Sequence, residues 1–322
     1  MPPTPLPSYR VQRRFDDFDQ LGEEVRQWDL DLRQLDRGLF RGELLQFGVG
    51  DVHVTEASFG RSLRQEGSPP AGLRTIALAA RPDVRFSWRG KQVTDHDVVV
   101  FPRGAELSSV SDPRFHVFTC SFPEHLLATI AETHGVGEWA DLYREAEVFR
   151  CASAAIVRVR RCLRDLSQTA LRNDAVLTDP DFVQRATHDL PRRLLDAIAG
   201  SAGSCGSETS RKRESALFRA EAYIEEFARH DIKVGDICLA ARVSQRTLEY
   251  AFAARYAMTP KAFLNAFRLN AVRRELRAAN SSSEGVADVA NRWGFWHMGQ
   301  FASDYRKQFG ELPSQTLRKV SG

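Results

Sequence analysis

The chain lacks any apolar run that approaches the roughly 18 residues needed to cross a bilayer, so we expect no membrane-spanning helix. Its first residues are proline-rich and lack a basic stretch followed by an apolar one, so we expect no secretory signal. The five cysteines form neither a Cys-x-x-Cys pair nor a zinc spacing, which favours reduced thiols in the cytoplasm. These absences argue against a membrane protein and against a disulfide-stapled secreted domain.

Sequence motifs for catalysis are also missing. The chain has no glycine-rich phosphate loop and no Gly-x-Ser-x-Gly nucleophile motif. His53, His96 and His116 stand alone, whereas metal-binding barrels commonly carry two histidines one residue apart with a glutamate nearby. Folding could still bring these histidines together. We nevertheless predict that the protein is not an enzyme and has no catalytic residues, no metal and no cofactor.

Charge is distributed unevenly along the chain. Residues 208–322 contain 19 Lys and Arg against 13 Asp and Glu, a net charge of +6. Residues 1–207 contain 26 against 29, a net charge of −3. A basic C-terminal part indicates a polyanionic partner such as nucleic acid, although an ordinary solvated surface fits the same numbers.

Within the first two hundred residues, the spacing of apolar residues changes once, from a strand-like to a helical pattern. Residues 39–122 alternate short β-branched and aromatic runs with turn residues, which predicts a small β-barrel or jelly roll. Its expected strands cover residues 43–49, 51–59, 73–80, 84–88, 97–101 and 115–122. Residues 123–199 are then helical in period, with a kink or break at Pro191. These helices either cap the barrel or form a dimer interface, and residues 1–10 are expected to be a mobile arm.

Residues 200–213 are rich in glycine and serine and predict a flexible linker between residues 1–200 and residues 214–322. Within residues 1–200, a ligand cavity in the barrel would need apolar walls and a few polar groups. The candidate effector-binding residues are His53, Trp88, Phe101 and Phe118. Core packing is the simpler explanation for the three aromatic residues.

Residues 234–256 have the pattern of a helix-turn-helix. A short helix ends near Arg242, and Ser244 can cap the next helix with its hydroxyl group. Leu248 and Phe252, one helical turn apart, face the core. The residues between them point outward, where a helix can read base edges in a major groove: Gln245, Arg246, Glu249 and Tyr250.

The same pattern returns at residues 286–309, with a turn at Gly294 and with Phe301 and Tyr305 as buried residues. Between the two patterns lies a predicted helix over residues 260–279. About twenty residues at 1.5 Å each span roughly 30 Å, close to the ~34 Å of one DNA turn. The helix can therefore place two recognition helices in successive major grooves on one face of a duplex.

The residues that make up these patterns resemble the AraC/XylS family of bacterial regulators. The resemblance covers residues 220–319, about a third of the chain. It rests on residues 240–248 (AARVSQRTL) with Phe252, on Thr259-Pro260, on residues 269–276 (LNAVRREL), and on residues 293–309 followed by Pro313-Ser314. Residues 294–305 (GFWHMGQFASDY) are most similar to the ethanolamine-operon regulator branch.

The resemblance implies an α+β protein with a cupin-like N-terminal domain and an all-α DNA-binding domain. It also implies an operator of double-stranded DNA, a small-molecule effector (an amine or alcohol such as ethanolamine, from the branch resemblance), contact with RNA polymerase, a homodimer, and a location at the nucleoid in the cytoplasm. The implied DNA-binding residues are Ser244, Gln245, Arg246, Thr247, Glu249, Tyr250, Lys261, His297, Met298, Gln300, Ser303 and Arg306.

Three residues depart from the family pattern. Arg242 stands where many members have a turn glycine, so the first turn is expected to be looser. Ser303 and Asp304 stand where an arginine and a small residue are common, and Asp304 would repel phosphate. We therefore expect the second recognition helix to bind DNA less strongly.

The leading hypothesis is a transcription regulator whose N-terminal domain binds an effector and shifts an equilibrium between two arrangements. One alternative is a DNA-binding dimer that needs no ligand. A second alternative is a cupin-type metal enzyme with an accessory DNA-binding domain.

Overall fold

The computed structural model describes residues 8–104, 106–135, 147–203, 208–279 and 285–319. The chain divides into two compact units. The first, which we call the sheet unit, comprises Met1–Leu32, Arg41–Gly60 and Gln65–Cys205. The second, the helical unit, comprises Arg33–Phe40, Arg61–Arg64 and Gly206–Gly322. The mixed α and β fold class that the sequence predicts is confirmed.

Thirteen strands are present in the described part of the chain. They are β1 (Tyr9–Phe15), β2 (Asp29–Gln34), β3 (Gly42–Val49), β4 (Val52–Phe59), β5 (Leu63–Ser68), β6 (Leu73–Ala79), β7 (Phe86–Trp88), β8 (Lys91–Val93), β9 (Asp97–Val100), β10 (Leu107–Ser111), β11 (Phe115–Pro123), β12 (Val148–Arg150) and β13 (Ala202–Gly203). One sheet has the order β1-β3-β4-β11-β6-β9-β12-β13, and the other has the order β2-β5-β10-β7-β8. Strand β11 pairs antiparallel with both β4 and β6 at the centre of the larger sheet.

In the described residues of the sheet unit, the α-helices are α1 (Phe18–Glu24), α2 (Glu124–Thr133), α3 (Ser153–Arg172), α4 (Pro180–Gln184) and α5 (Leu190–Ala199). One hydrophobic core joins one face of the larger sheet to the apolar faces of helices α2 to α5. Strand residues such as Phe47, Val54 and Phe118 meet helix residues such as Leu163 and Leu194 there. Burying each such side chain stabilises the fold by about 1.5–3 kcal/mol, so the helices cover the sheet as a second layer.

The predicted break at Pro191 is present. A five-residue π-helical turn, Arg185–Asp189, separates α4 from α5, and Pro191 lies in the first turn of α5. Proline lacks the N–H group that a continuous helix would need at this position, so the regular hydrogen-bond pattern is interrupted just before it.

Several predicted boundaries are corrected by the structure. The β region is not confined to residues 39–122, because β1 and β2 precede it and β12 lies within the region predicted to be helical. Residues 9 and 10 of the predicted mobile arm belong to β1, whose Tyr9 pairs with Gly48 of β3. Residues 1–7 of that arm lie outside the described residues.

The helical unit contains seven helices in its described residues. They are α6 (Glu208–Phe227), α7 (Val234–Ala241), α8 (Gln245–Tyr256), α9 (Pro260–Ala278), α10 (Val286–Arg292), α11 (Met298–Phe309) and α12 (Pro313–Lys319). Residues 208–213, predicted as part of a flexible linker, are already helical, while residues 204–207 of that linker lie outside the described residues.

Aromatic residues hold the first half of the helical unit together. Phe252 and Tyr256 of α8 pack against Phe263 of α9, with ring centroids 5.2 and 4.5 Å from that of Phe263. All three side chains are buried. Such ring pairs add to the stabilisation from burial alone, and they fix α8 on the start of α9. None of the described helices is both long and apolar enough to cross a membrane.

Candidate nucleic-acid interface

The first helix-turn-helix consists of α7 and α8 with a tight turn between them. Arg242 occupies the left-handed region, with φ of 57°, although it is not a glycine. The turn is closed by hydrogen bonds from the N–H groups of Arg242 and Val243 to the carbonyl groups of Leu239 and Cys238, each 3.2 Å long. The looser turn expected from the lack of a glycine is therefore not found. The two backbone hydrogen bonds hold Arg242 in a left-handed conformation that residues other than glycine rarely adopt.

Ser244 begins the first recognition helix, α8. Its hydroxyl oxygen accepts a hydrogen bond from the Thr247 backbone N–H at 3.3 Å and lies 2.9 Å from the Thr247 hydroxyl. Both residues were expected to contact DNA. Their side chains also serve the helix itself, because an N-cap hydroxyl satisfies a backbone donor that otherwise has no partner.

We expect Ser244→Ala to lower the free energy of unfolding by about 1 kcal/mol, the usual cost of losing an N-cap. A denaturant titration measures the change. Ser303→Ala is the matched control, since Ser303 is exposed inside α11, where alanine is the better helix former. Ser244→Asp should restore the cap. Equal stability of Ser244→Ala and the wild-type protein would remove the capping role.

The outward face of α8 carries four exposed polar side chains held in two pairs. Gln245 Nε2 donates to Glu249 Oε1 at 2.9 Å, and Arg246 Nη2 donates to Tyr250 Oη at 3.2 Å. The Arg246 guanidinium also lies 5.5 Å from the centre of the Tyr250 ring. Pairs spaced four residues apart lie on one face of a helix, so the expected base-reading residues share one surface.

The second helix-turn-helix consists of α10 and α11. Gly294 adopts φ of 79° in the turn, and the Phe295 N–H donates to the Ala290 carbonyl at 3.0 Å. His297 is the exposed N-cap residue of α11. Met298 is only half-exposed, so less of its side chain is available to a ligand than the sequence suggested.

Asp304 is less isolated than the sequence suggested. Its Oδ2 accepts a hydrogen bond from Gln300 Nε2 at 2.8 Å, and its Oδ1 lies 3.8 Å from Lys307 Nζ. The carboxylate is half-buried, whereas Gln300, Ser303 and Arg306 are exposed. A neighbouring cation offsets much of the repulsion between this carboxylate and a phosphate, which weakens the expectation that α11 binds poorly.

Two candidates in this region were missed. Trp296, directly before the N-cap of α11, is 72% exposed, which is unusual for so large an apolar side chain. Lys233, the N-cap residue of α7, lines a cleft of about 400 Å³ together with the expected DNA contact Lys261. An exposed aromatic residue in the turn before a recognition helix was the available signal for Trp296. The pairing of Lys233 with Lys261 depends on tertiary structure.

Helix α9 joins the two helix-turn-helix units. It has 19 residues and is therefore about 28 Å long at 1.5 Å per residue. Thr259 caps it by accepting a hydrogen bond from the Ala262 N–H at 3.2 Å, and Pro260 occupies its first turn. Its buried positions run along its length, from Phe263 to Leu276. A helix anchored in this way provides a stiff connection between the two units.

A separate cavity of about 80 Å³ lies in the sheet unit. Its walls come from both sheets and are mainly apolar, with six aromatic residues among them: Trp28, Phe59, Phe86, Trp88, Phe101 and Phe115. Trp88 and Phe101 were expected there. Gln65 also lines it, and Gln65 Nε2 has no hydrogen-bond partner among the described residues. Pockets for drug-sized ligands are about 300–1,000 Å³, so such a ligand would need these walls to move apart.

His53 and Phe118, two of the four predicted effector-binding residues, do not line this cavity. Phe118 lies in the core between the larger sheet and its helices, whereas its neighbours Val117 and Thr119 point into the cavity. Successive side chains of a strand face opposite sides of the sheet. His53 Nδ1 lies 3.0 Å from the Tyr9 hydroxyl oxygen. Burial lowers the pKa of His53 and raises the pKa of Tyr9 to about 12, so both side chains stay neutral near pH 7.

The helices that carry these candidates define a helix-turn-helix protein. A family described as "Helix-turn-helix domain" matches residues 237–319. A probable thc operon regulatory protein of Rhodococcus erythropolis is 38% identical over 98 residues, or 30% of each chain. The XylDLEGF operon transcriptional activator 1 of Pseudomonas putida is 35% identical over 118 residues, or 35% of this chain and 36% of that protein. Residues 237–319 therefore form an AraC-type helix-turn-helix domain.

The chain covers only about a third of the length of these two relatives. Among solved structures, the AraC-like transcriptional activator CuxR is 14% identical. That comparison covers 88% of this chain and 100% of CuxR, with a TM-score of 0.43.

Proposed function

We propose that this protein is a sequence-specific DNA-binding transcription regulator. The observation that supports this proposal most directly is the pair of recognition helices, α8 and α11, each with exposed polar side chains, on either side of the anchored helix α9. Arginine and glutamine on such helices can bind guanine and adenine through two hydrogen bonds each. The matched relatives are named as operon regulators, which agrees with this proposal.

The residues expected to read bases are Arg246, Glu249 and Tyr250 on α8, and His297, Gln300 and Ser303 on α11. Lys261 and Arg306 would contact phosphates, since both are exposed cations near the ends of helices. We add Lys233, which shares a cleft with Lys261, and Trp296, which precedes α11. An exposed indole there can pack against sugar or a thymine methyl group.

Footprinting tests the proposal. Genomic fragments that the full chain retains would be selected, sequenced and probed for protection. We expect two protected major grooves on one face of the duplex, separated by about one helical turn of roughly 10 base pairs. Protection of a single groove, or no duplex binding in low salt, would contradict it.

We also propose that the cavity in the sheet unit binds a small effector and that this unit senses a ligand and catalyses no reaction. None of the described lining residues is acidic, so a buried ammonium group would lack a counter-charge. The lining therefore suits an uncharged, largely apolar molecule better than the amine suggested by the branch resemblance. The amide nitrogen of Gln65, Nε2, can donate a hydrogen bond to such a molecule from either of its two N–H groups.

Thermal unfolding with a library of small metabolites tests this effector site. An apolar ligand at about 100 times its dissociation constant should stabilise the protein by roughly 2.7 kcal/mol. Ser109 lines the cavity, so Ser109→Leu should fill it and abolish the shift. Gln12→Leu, on strand β1 and absent from that lining, is the control. If no apolar compound raises the melting temperature, a ligand-independent regulator becomes the better proposal.

Homodimer formation, contact with RNA polymerase and a location at the nucleoid in the cytoplasm remain parts of the proposal. They rest on the sequence resemblance and on the expected DNA target. Sedimentation of the full chain tests the dimer.

A further inference from the structure

Two short segments from the first 64 residues belong to the helical unit. They are Arg33–Phe40 and Arg61–Arg64, and their contacts group them with residues 206–322. We call these two segments together the bridge. Its two pieces are joined by hydrogen bonds from the Leu35 N–H to the Ser62 carbonyl at 2.9 Å and from the Ser62 N–H to Asp36 Oδ1 at 2.8 Å. The bridge is therefore one connected piece of structure.

The first segment binds the middle of helix α9. The Gln34 N–H donates to Asn270 Oδ1 at 3.0 Å, and Asn270 Nδ2 donates to the Gln34 carbonyl at 2.8 Å. Both residues are buried. A side-chain amide that pairs with both polar groups of a backbone residue imitates one step of a β-ladder. Because a buried polar group without a partner is costly, losing the Asn270 side chain would be destabilising, since the Gln34 N–H would lose this acceptor.

The same segment holds the end of the second recognition helix, α11. Gln308, in the last turn of α11, is 4% exposed. Its side-chain Nε2 donates to the Gln34 backbone carbonyl at 2.9 Å. Its backbone carbonyl accepts from Gln34 Nε2 at 2.7 Å and from the Gly38 N–H at 3.1 Å. Leu39 lies over Gly310, where an added Cβ atom would be 2.5 Å from Leu39 Cγ. The bridge thus joins α9 to the end of α11.

The second segment reaches the first helix-turn-helix through α6. Arg64, nearly fully buried, forms ion pairs with Glu225 at 2.8 Å and with Glu221 at 3.3 Å. Glu221 also accepts a hydrogen bond from Tyr256 Oη at 2.5 Å, and Tyr256 is the last residue of the first recognition helix, α8. Arginine is suited to such multiple charged contacts because its donors lie in a rigid plane. Through these contacts the bridge reaches both recognition helices.

We propose that the bridge sets the spacing and orientation of the two recognition helices, and that Asn270, Gln308 and Arg64 act as positioning residues for DNA reading. The part of this proposal that concerns DNA rests on the proposed function. The 19 residues of α9 fix the distance between its two ends. The rotation of α11 about the axis of α9 depends on contacts that other parts of the chain make with both helices. The bridge supplies those contacts from a distant part of the chain.

The bridge also gives a ligand a route to DNA binding. Strand β2 contributes Leu30 and Leu32 to the cavity wall and continues to Gln34 of the bridge. Strand β5 contributes Gln65 to the same wall directly after Arg64 of the bridge. A ligand that shifts these strands would therefore move the bridge residues by covalent connection. The change in DNA affinity would depend on how much more tightly the ligand binds one arrangement of the bridge than the other.

Gln308→Met tests the positioning role, because methionine keeps the size of the side chain and removes the hydrogen bonds that its amide group donates to the bridge. The bonds to the Gln308 backbone carbonyl are kept. Affinity would be measured on the selected site and on versions with one base pair inserted between the two half-sites, which adds about 3.4 Å and roughly 34°. We expect Gln308→Met to bind the native site about tenfold more weakly, the loss expected from one or two buried hydrogen bonds. We also expect the insertion to cost the variant less than it costs the wild-type protein.

Gln184→Met, an exposed glutamine on α4, is the matched control and should behave like the wild-type protein. Leu39 is 55% exposed, so we expect Leu39→Ala to leave the protein folded. This variant should shift the insertion cost in the same direction as Gln308→Met, by a smaller amount. A variant that is merely less stable would lose affinity equally on both sites. An insertion cost in Gln308→Met equal to that of the wild-type protein would overturn the proposal.

A measurement without DNA keeps this inference separate from the proposed function. Spin labels at the exposed positions Ala254 of α8 and Lys307 of α11 report the distance between the two recognition helices in the full chain. We expect one narrow distance distribution in the wild-type protein and a broader or displaced one in Gln308→Met. Identical distributions would overturn the positioning role even if the protein binds DNA. A broadened distribution would support it even if no operator is found.

Discussion

Raising the salt concentration from 50 to 200 mM should weaken binding to the selected DNA site by roughly a thousandfold, if about six phosphates are neutralised. The cause is the release of counterions from DNA, so the logarithm of the affinity falls linearly with the logarithm of the salt concentration. Exposed cations near the recognition helices include Lys233, Lys261, Arg306 and Lys307. Fluorescence anisotropy with a labelled duplex measures the slope.

Variants that each remove one positive charge show how much each residue contributes to the slope of the salt dependence. Lys261→Gln and Lys233→Gln should each reduce its magnitude by about 0.9, the value for one phosphate contact on duplex DNA. Arg161→Gln is the matched control, because it removes one exposed positive charge from α3 of the sheet unit and should leave the slope unchanged. A flat response to salt in the wild-type protein would contradict groove binding altogether.

The sequence predicts the helices of the two helix-turn-helix units closely, because the spacing of their apolar residues fits a helix and does not fit a strand. Leu248 and Phe252 face the core, as their spacing predicted. Helices α7 and α8 begin and end at the residues that the caps and the turn predicted. The predicted strands 43–49 and 115–122 lie within one residue of β3 and β11 for the same reason. Local pattern and tertiary packing agree at these positions.

Strands whose residues are polar were missed. Strand β5 (LRQEGS) has no apolar alternation after Leu63, and its buried Arg64 forms ion pairs with Glu221 and Glu225. The partners are separated by 157 and 161 residues. No local pattern could reveal such a pairing, since burial of a charge depends on the partner that the fold brings to it.

The residues that line the cavity of the sheet unit were only half predictable, because the larger sheet is covered on both faces. Val117, Phe118 and Thr119 differ in the side they face, yet all could belong to a buried strand. Arg268 illustrates the opposite case. It is one of the cations that make residues 208–322 basic, but its guanidinium donates to the carbonyl groups of Ala228 and His230 at 2.8 and 2.6 Å. Whether an arginine serves the fold or a ligand depends on contacts that composition does not contain.

Arg246→Ala should weaken binding to the preferred site by about 1–3 kcal/mol, or roughly 5- to 150-fold, and relax specificity at one or two base pairs. Arg246 is exposed on α8 and donates to Tyr250 Oη. That bond uses one of the five N–H donors of the guanidinium, and it orders the side chain before DNA arrives. Selection from a random pool, compared between the variant and the wild-type protein, measures both changes.

Two further variants separate base reading from simple attraction to phosphate. Arg246→Lys keeps the charge but loses the planar pair of donors that matches guanine, so it should relax specificity while retaining the salt slope. Tyr250→Phe removes only the hydroxyl group that accepts from Arg246 and should cost less than Arg246→Ala, because the arginine then pays more conformational entropy on binding. If Arg246→Ala weakens binding equally on every sequence, Arg246 contacts phosphate. In that case Gln245 and Glu249 become the candidates on α8 for contacting base edges.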